Sequence, residues 1–288
     1  VTYLQILILA AVQGAAELLP VSSSAHVIVA EKLMGLDPTS PEMTFLLVML
    51  HTGTMFAVIA YFWRSWRTTF FSSGSAFMNF LTQSIIATGC TGVIGLGMKK
   101  LIEHLFLGGV PHGERGPEIE ILFGNTLLIG CALAAVGVLI IIAGFAREVH
   151  GRMDIRFSQS AAIGIVQGFC LPFRGFSRSG ATISTALLTG VPRLKAEQFS
   201  FALAVILTPV IIAMEGKRLL EANKAGAHLP IGQLMTPGLI GMAIAFVTGL
   251  LALAWLSRWL EGGRWKFFGF YCLAAAAAVL VLHFRFHI

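Results

Sequence analysis

Charge is what this 288-residue sequence has least of: 20 Lys and Arg and 14 Asp and Glu make up only 12% of the chain. Soluble domains typically carry about 25%. The stretch 127–145 has no charged residue at all, 56% of the chain is hydrophobic, and the mean hydropathy is +0.82. That composition excludes an ordinary soluble globule, and the apolar content excludes disorder. Unbroken apolar runs, without polar alternation, exclude a β-barrel. Cysteine is scarce as well. Cys90, Cys131, Cys170 and Cys272 lie singly in apolar segments without metal-ligand spacing, which points away from a disulfide framework. The net charge of +6 reads as membrane-facing loops, not as a nucleic-acid surface. Residues 3–12 are apolar but lack the basic flank of a signal peptide.

What is present is a set of apolar stretches of membrane-spanning length, about 20 residues each. Six read as plain transmembrane helices, at 43–62, 79–98, 122–144, 198–214, 237–256 and 267–284. Two more, 4–30 and 159–190, are apolar but interrupted. The first carries Glu17, Pro20, three serines and His26 at its centre, and the second Pro172, Arg174 and Arg178. Backbone freed by such breaks must be buried in protein or face water. Each is therefore expected to be a re-entrant helix–loop–helix.

The interrupted segments resemble one another. Val12-Gln13-Gly14, Leu19-Pro20 and Ser22-Ser23-Ser24 recur in order as Val166-Gln167-Gly168, Leu171-Pro172 and Ser177-Arg178-Ser179. Two repeats follow, over about 1–145 and 146–288, within a single membrane domain. Three spans separate the interrupted segments, and an odd number makes the second enter from the opposite face. The expected fold class is thus an all-α polytopic membrane protein, with six transmembrane helices and two re-entrant segments in an inverted-topology repeat. Ten basic residues fall in the short loops of one face and eight on the face that holds both termini, which places the short loops in the cytoplasm. Glycines 89, 92, 95 and 97 permit close helix packing, within the chain or in a homodimer.

Two basic residues, Arg174 and Arg178, and one acid, Glu17, fall inside the re-entrant segments. Ionisable groups at membrane depth are costly, so they mark a candidate site. Ser23 and His26 are three apart and share a face if a helix starts near Ser22; alternatively the serines cap that helix and His26 is an interior histidine. The run Arg174-Gly175-Phe176-Ser177-Arg178-Ser179-Gly180-Ala181-Thr182 reads as an anion cradle. Glycines admit a close approach, hydroxyls donate, a half-helix points its N-terminus inward, and a guanidinium suits phosphate oxygens. Alternatively, Arg178 pairs with Glu17 to hold the repeats together. A phosphate carried on a lipid fits such a site, because the tail stays in the bilayer.

The stretch Gln13-Gly14-Ala15-Ala16-Glu17-Leu18-Leu19-Pro20-Val21-Ser22-Ser23-Ser24-Ala25-His26 resembles the first signature of the bacitracin-resistance family of undecaprenyl-diphosphate phosphatases. Residues 174–182 resemble the second, and the likeness in length and segment order covers nearly the whole chain. The resemblance implies an integral phosphatase of the bacterial cytoplasmic (inner) membrane. It would remove the terminal phosphate from a polyprenyl diphosphate to recycle the carrier lipid for peptidoglycan synthesis, and so confer bacitracin resistance. It implies a site open to the outer face and a divalent cation, Mg²⁺ or Ca²⁺. By motif, Glu17, Ser23, His26 and Arg178 match the catalytic positions, and Ser177 and Thr182 match polar positions near the phosphates. Ser22, Ser179 and Arg174 complete the expected substrate contacts, and Gln13 joins Glu17 as the expected metal ligand.

Two positions depart from the pattern. Gln13 stands where the family has an acid, so one carboxylate for the cation is lost. Arg174 stands where the second signature has proline, which adds a cation beside the phosphate clamp. The expected chemistry is attack by Ser23 with His26 as base, or attack by His26 with Ser23 as a phosphate ligand. The alternative from another class is a transporter or flippase of a prenyl-phosphate lipid, since broken helices in inverted repeats also suit alternating access.

Overall fold

The structure is a computed structural model that describes residues 1–37, 40–106, 125–147, 149, 154–222 and 231–286. Among these residues the secondary structure is helical, with no strand. In chain order the helices are α1 (Tyr3–Leu18), α2 (Ser23–Leu33), α3 (Pro41–Thr69), α4 (Gly74–Phe106) and α5 (Thr126–Gly144). The second half contributes α6 (Phe157–Cys170), α7 (Arg178–Leu188), α8 (Arg193–Ala222), α9 (Ile231–Glu261) and α10 (Trp265–Phe286). Six of these, α3, α4, α5, α8, α9 and α10, are long and apolar enough to cross a membrane. They coincide with the six expected spans, apart from 122–124, which lie outside the described residues. Some of the loop residues that carry the charge bias, Arg115, Arg152 and Lys224 among them, lie outside them too. The chain is a multi-pass membrane protein.

The interrupted segments fold as two helix pairs, α1–α2 and α6–α7, whose members have 16, 11, 14 and 11 residues. At about 1.5 Å per residue none reaches the roughly 30 Å of a hydrocarbon core. The breaks have different local causes. Leu19 precedes a proline and is extended (φ −77°, ψ 153°), as the proline ring demands of its neighbour. The next turn places Ser22 at φ +67°, ψ 96°, the one non-glycine with positive φ among the described residues. In the second segment Leu171 stays helical despite Pro172, and the chain reverses at Gly175, φ +105°. A Cβ at Gly175 would lie 2.5 Å from the Ile129 carbonyl oxygen on α5.

The long helices cross between halves of the chain. α1 packs along α9, α6 along α4, α3 along α9 and α8, and α5 along α10. The core runs through Ile129, Leu133, Val136 and Ile140 of α5, Phe199, Phe201 and Leu203 of α8, and Leu253, Leu256 and Leu260 of α9, all buried. Ile85, Val93 and Leu96 of α4 and Val281 and Phe284 of α10 are exposed, as lipid-facing side chains are. Small residues set the approach of the short helices to the long ones. A Cβ on Gly14 of α1 would fall 2.7 Å from the Ala245 carbonyl oxygen of α9; one on Gly164 of α6 would fall 2.2 Å from that of Ala87 on α4. Of the four glycines noted in α4, Gly95 meets Leu171, the residue that caps α6, whereas Gly89, Gly92 and Gly97 face open space.

The α4–α6 contact predicts a measurable asymmetry between glycines. Gly164→Ala should destabilise the detergent-solubilised protein by about 1–3 kcal/mol, because backbone must shift to admit the methyl group. Gly74→Ala, where a Cβ meets nothing within 4 Å, should leave the thermal midpoint close to that of the parent. Equal midpoints for the two variants would contradict this packing.

Candidate active site

The bend after α1 and the bend before α7 meet. Ser179 donates from Oγ to the Leu19 carbonyl at 3.2 Å, and a Cβ on Gly180 would stand 3.2 Å from the Pro20 carbonyl oxygen. From α10, Cys272 donates from Sγ to that same Pro20 oxygen at 3.3 Å. Two elements remote in sequence, α7 and α10, thus fix one bend, and Glu17 leaves α1 just before it.

Glu17 is the hub. Its Oε2 accepts from Ser23 Oγ at 2.5 Å and from Gln13 Nε2 at 3.3 Å, and its Oε1 accepts from Arg178 Nη2 at 3.4 Å. The Ser23 bond lies at the short end of the range for a hydroxyl donating to a carboxylate. His51, on α3, brings Nε2 to 3.8 Å from Glu17 Oε2. The other ring nitrogen of His51 lies 2.8 Å from the Leu47 carbonyl. A carbonyl only accepts, so Nδ1 carries the proton, and in the neutral ring Nε2 is a lone pair turned toward a carboxylate. Two acceptors facing each other make a place for a cation, either a proton or a metal.

Arg178 is shared out unevenly. One terminal nitrogen serves Glu17, while Nη1 is buried without a hydrogen-bond partner among the described residues. An unsatisfied buried guanidinium nitrogen is costly and rare in a native site. It sits at the first residue of α7, where helix N–H groups also favour an anion. A phosphate oxygen would satisfy both.

The other expected residues divide by partner. Ser22 and Ser177 cap α2 and α7, accepting from Ala25 N at 3.4 Å and Gly180 N at 3.2 Å. Thr182 is buried and turned to α8, where its hydroxyl meets Ser200 Oγ at 2.6 Å. Ser179 is committed to Leu19, as above. Arg174 lies within electrostatic range of Glu31 on α2. His26 does not join Ser23. Its Nδ1 lies 2.8 Å from the Ser22 carbonyl and its Nε2 lies 2.8 Å from the Tyr271 hydroxyl on α10. The positive φ of Ser22 belongs to the turn that aims this carbonyl at the imidazole.

Two members of the site were not anticipated from sequence. His51 carried a usable signal, since a histidine inside a span falls under the same rule that singled out Glu17. Tyr271 carried none: an aromatic in a transmembrane helix is unremarkable until its partner is known.

The model of the bacitracin resistance protein BacA family matches residues 6–278. The chain is 57% identical over 283 residues to undecaprenyl-diphosphatase 2 of Acinetobacter baylyi, covering 97% of each. It is 33% identical over 287 residues to undecaprenyl-diphosphatase of Rhodopirellula baltica, covering 98% of each. With undecaprenyl-diphosphatase of Korarchaeum cryptofilum the identity is 30% over 283 residues, 96% of this chain and 98% of the relative.

The spare Nη1 gives a direct test of the anion cradle. Arg178→Lys keeps the charge but cannot offer one nitrogen to Glu17 and another to an oxyanion. Titration calorimetry with inorganic pyrophosphate should show binding weakened roughly 10- to 100-fold, the scale of one charged hydrogen bond. Unchanged affinity would remove Arg178 from the cradle.

Proposed function

The chain belongs to the bacitracin resistance protein BacA family, and we propose that it is an integral membrane phosphatase that hydrolyses undecaprenyl diphosphate to undecaprenyl phosphate and inorganic phosphate. The observation that carries the reading is the juxtaposition of an activated hydroxyl with an anion clamp. Ser23 Oγ donates to Glu17 at 2.5 Å, and Arg178, paired with the same carboxylate, has Nη1 to spare. A flippase would need the clamp but not a serine bound to a base.

In this mechanism the terminal phosphate sits on Arg178 and the N-terminus of α7. Ser23 Oγ attacks the distal phosphorus while its proton passes to Glu17. The Oγ–P bond forms, the bond from phosphorus to the bridging oxygen breaks, and undecaprenyl phosphate leaves with the proton from Glu17. Water then attacks the phosphoserine, gives a proton to Glu17, and Ser23 recovers one as inorganic phosphate departs. Arg178 stabilises the charge spread over the equatorial oxygens. The contacts favour Glu17 over His26 as the base on Ser23, because His26 is turned to Tyr271. They also favour Ser23 over His26 as nucleophile.

The donor set suits a divalent cation that takes its remaining ligands from substrate and water, as Mg²⁺ commonly does. Glu17 would hold it, joined by Gln13 once the amide turns its oxygen instead of Nε2 toward the ion, and His51 Nε2, 3.8 Å from Glu17 Oε2, would accept from a water on it. Bound there, a Mg²⁺ or Ca²⁺ ion would neutralise charge on the diphosphate.

The two helix pairs are read as re-entrant hairpins of an inverted repeat, with halves near 1–145 and 146–288. Supporting this, α1 packs on α9 while its counterpart α6 packs on α4, which is the exchange that a two-fold relation produces. Gly14 and Gly168, equivalent in the repeat, both sit where a Cβ would collide with the facing helix. In the proposed orientation the termini and the site face outward from the bacterial inner membrane. The outward stripe of Gly89, Gly92 and Gly97 suits close packing with a second copy in a homodimer.

Purified protein should release phosphate from a prenyl diphosphate and lose that activity in chelator; no release under any metal condition would overturn the reading. Glu17→Gln, which removes both the base and the charged ligand, should lower turnover by roughly 10²-fold or more. Gln13→Glu should lower the metal concentration needed for half-maximal activity, because hard cations prefer carboxylate oxygen. A midpoint that stays put in Gln13→Glu would show that position 13 does not hold the ion.

A further inference from the structure

His26 lies in the signature of the site, yet neither of its nitrogens faces Glu17, Ser23 or Arg178. Nδ1 is held by the Ser22 carbonyl, which can only accept, so Nδ1 carries the proton and Nε2 of the neutral ring is the lone-pair nitrogen. That nitrogen accepts from the Tyr271 hydroxyl at 2.8 Å. The ring planes are nearly parallel, 12° apart, with centroids separated by 5.7 Å.

The place of Tyr271 gives this bond its meaning. Tyr271 is 49% exposed and shares the lipid face of α10 with Phe267 and Phe270, 48% and 52% exposed. The next residue, Cys272, is buried and holds α10 to the Pro20 bend. The backbone of α10 is therefore pinned to the site, while the phenol stands at the boundary between site and lipid. A molecule whose tail lies in the bilayer and whose head is a diphosphate meets this hydroxyl on its way to Arg178.

We propose that Tyr271 is a positioning residue for the phosphatase: it holds His26 Nε2 at the lipid-side edge of the site until a phosphate oxygen of the lipid diphosphate takes the place of its hydroxyl. The inference rests on the phosphatase reading for its substrate, but its central statement concerns an imidazole and a phenol and is testable without turnover. In the resting protein the reactive nitrogen of His26 is masked. With substrate in place, Tyr271 releases it, and His26 turns Nε2 to the phosphate as donor or acceptor according to its proton. Because the hydroxyl both donates and accepts, Tyr271 can hold the ring in either protonation state.

The test uses the full-length protein in detergent and the variant Tyr271→Phe, which keeps the ring and removes the hydroxyl. The first measurement is the rate at which diethyl pyrocarbonate modifies His26, resolved by peptide mass spectrometry, with His283 of α10 as internal control. The variant should modify roughly five- to tenfold faster at His26, the scale of one net hydrogen bond, and at the parental rate at His283. The second is steady-state turnover of a prenyl diphosphate. Here kcat should fall severalfold, because an imidazole no longer held at the edge of the site is less often in place to meet the incoming phosphate, with KM within about twofold of the parent. A His26 rate within twofold of the parent overturns the proposal whatever the kinetics. A raised KM with kcat retained also overturns it, since that marks a mere lipid contact. Should the parent release no phosphate at all, the phosphatase reading falls, and the His26 rate alone still decides the role of Tyr271.

Discussion

A carboxylate and a guanidinium taken out of water together govern this molecule. Glu17 and Arg178 stand 161 residues apart in sequence and 3.4 Å apart in space, each with about a fifth of its side chain exposed. Neither ion is tolerable alone in an apolar bundle, and removal of one partner from such a pair costs far more than the pair's net worth. The two interrupted helix pairs therefore have to meet. The bend at Leu19–Pro20 is clamped by Ser179 from one side and Cys272 from the other, so that the pair forms where two half-helices end.

The same pair is incomplete in a productive way. Glu17 divides its oxygens between Arg178 and Ser23, and Arg178 has one nitrogen bonded and one buried without a partner. A fully satisfied ion pair would only hold the halves together. A half-satisfied one leaves a guanidinium nitrogen that an anion would satisfy, beside a hydroxyl already bound to a carboxylate. Under the proposed function, the structural and chemical roles of Arg178, alternatives when only the sequence is considered, are the same interaction.

Much of this was legible because charge is so rare here. In a chain that is 12% charged, an acid or arginine at the centre of an apolar segment stands out, and Glu17 and Arg178 were found that way. The six spans were legible for the same reason. Interactions that depend on how helices exchange between halves were not. Nothing in the sequence turns His26 from Ser23 toward Tyr271, because that choice depends on α10 passing beside α2. Gly95 looked like its neighbours Gly89, Gly92 and Gly97, and only the approach of Leu171 separates it. Thr182 and Ser179 looked like phosphate donors, but their hydroxyls are satisfied by Ser200 and Leu19. In a Ser-rich motif, caps and ligands share one composition.

The central claim is that Ser23, poised on Glu17, takes the phosphoryl group. Rapid-quench incubation with a prenyl diphosphate labelled at the terminal phosphorus, followed by denaturation at neutral pH and peptide mapping, tests it most directly, since phosphoserine and phosphohistidine both survive that treatment. The account predicts transient label on Ser23, absent from Ser23→Ala. Label on His26, or turnover with no labelled enzyme at any time, would contradict it.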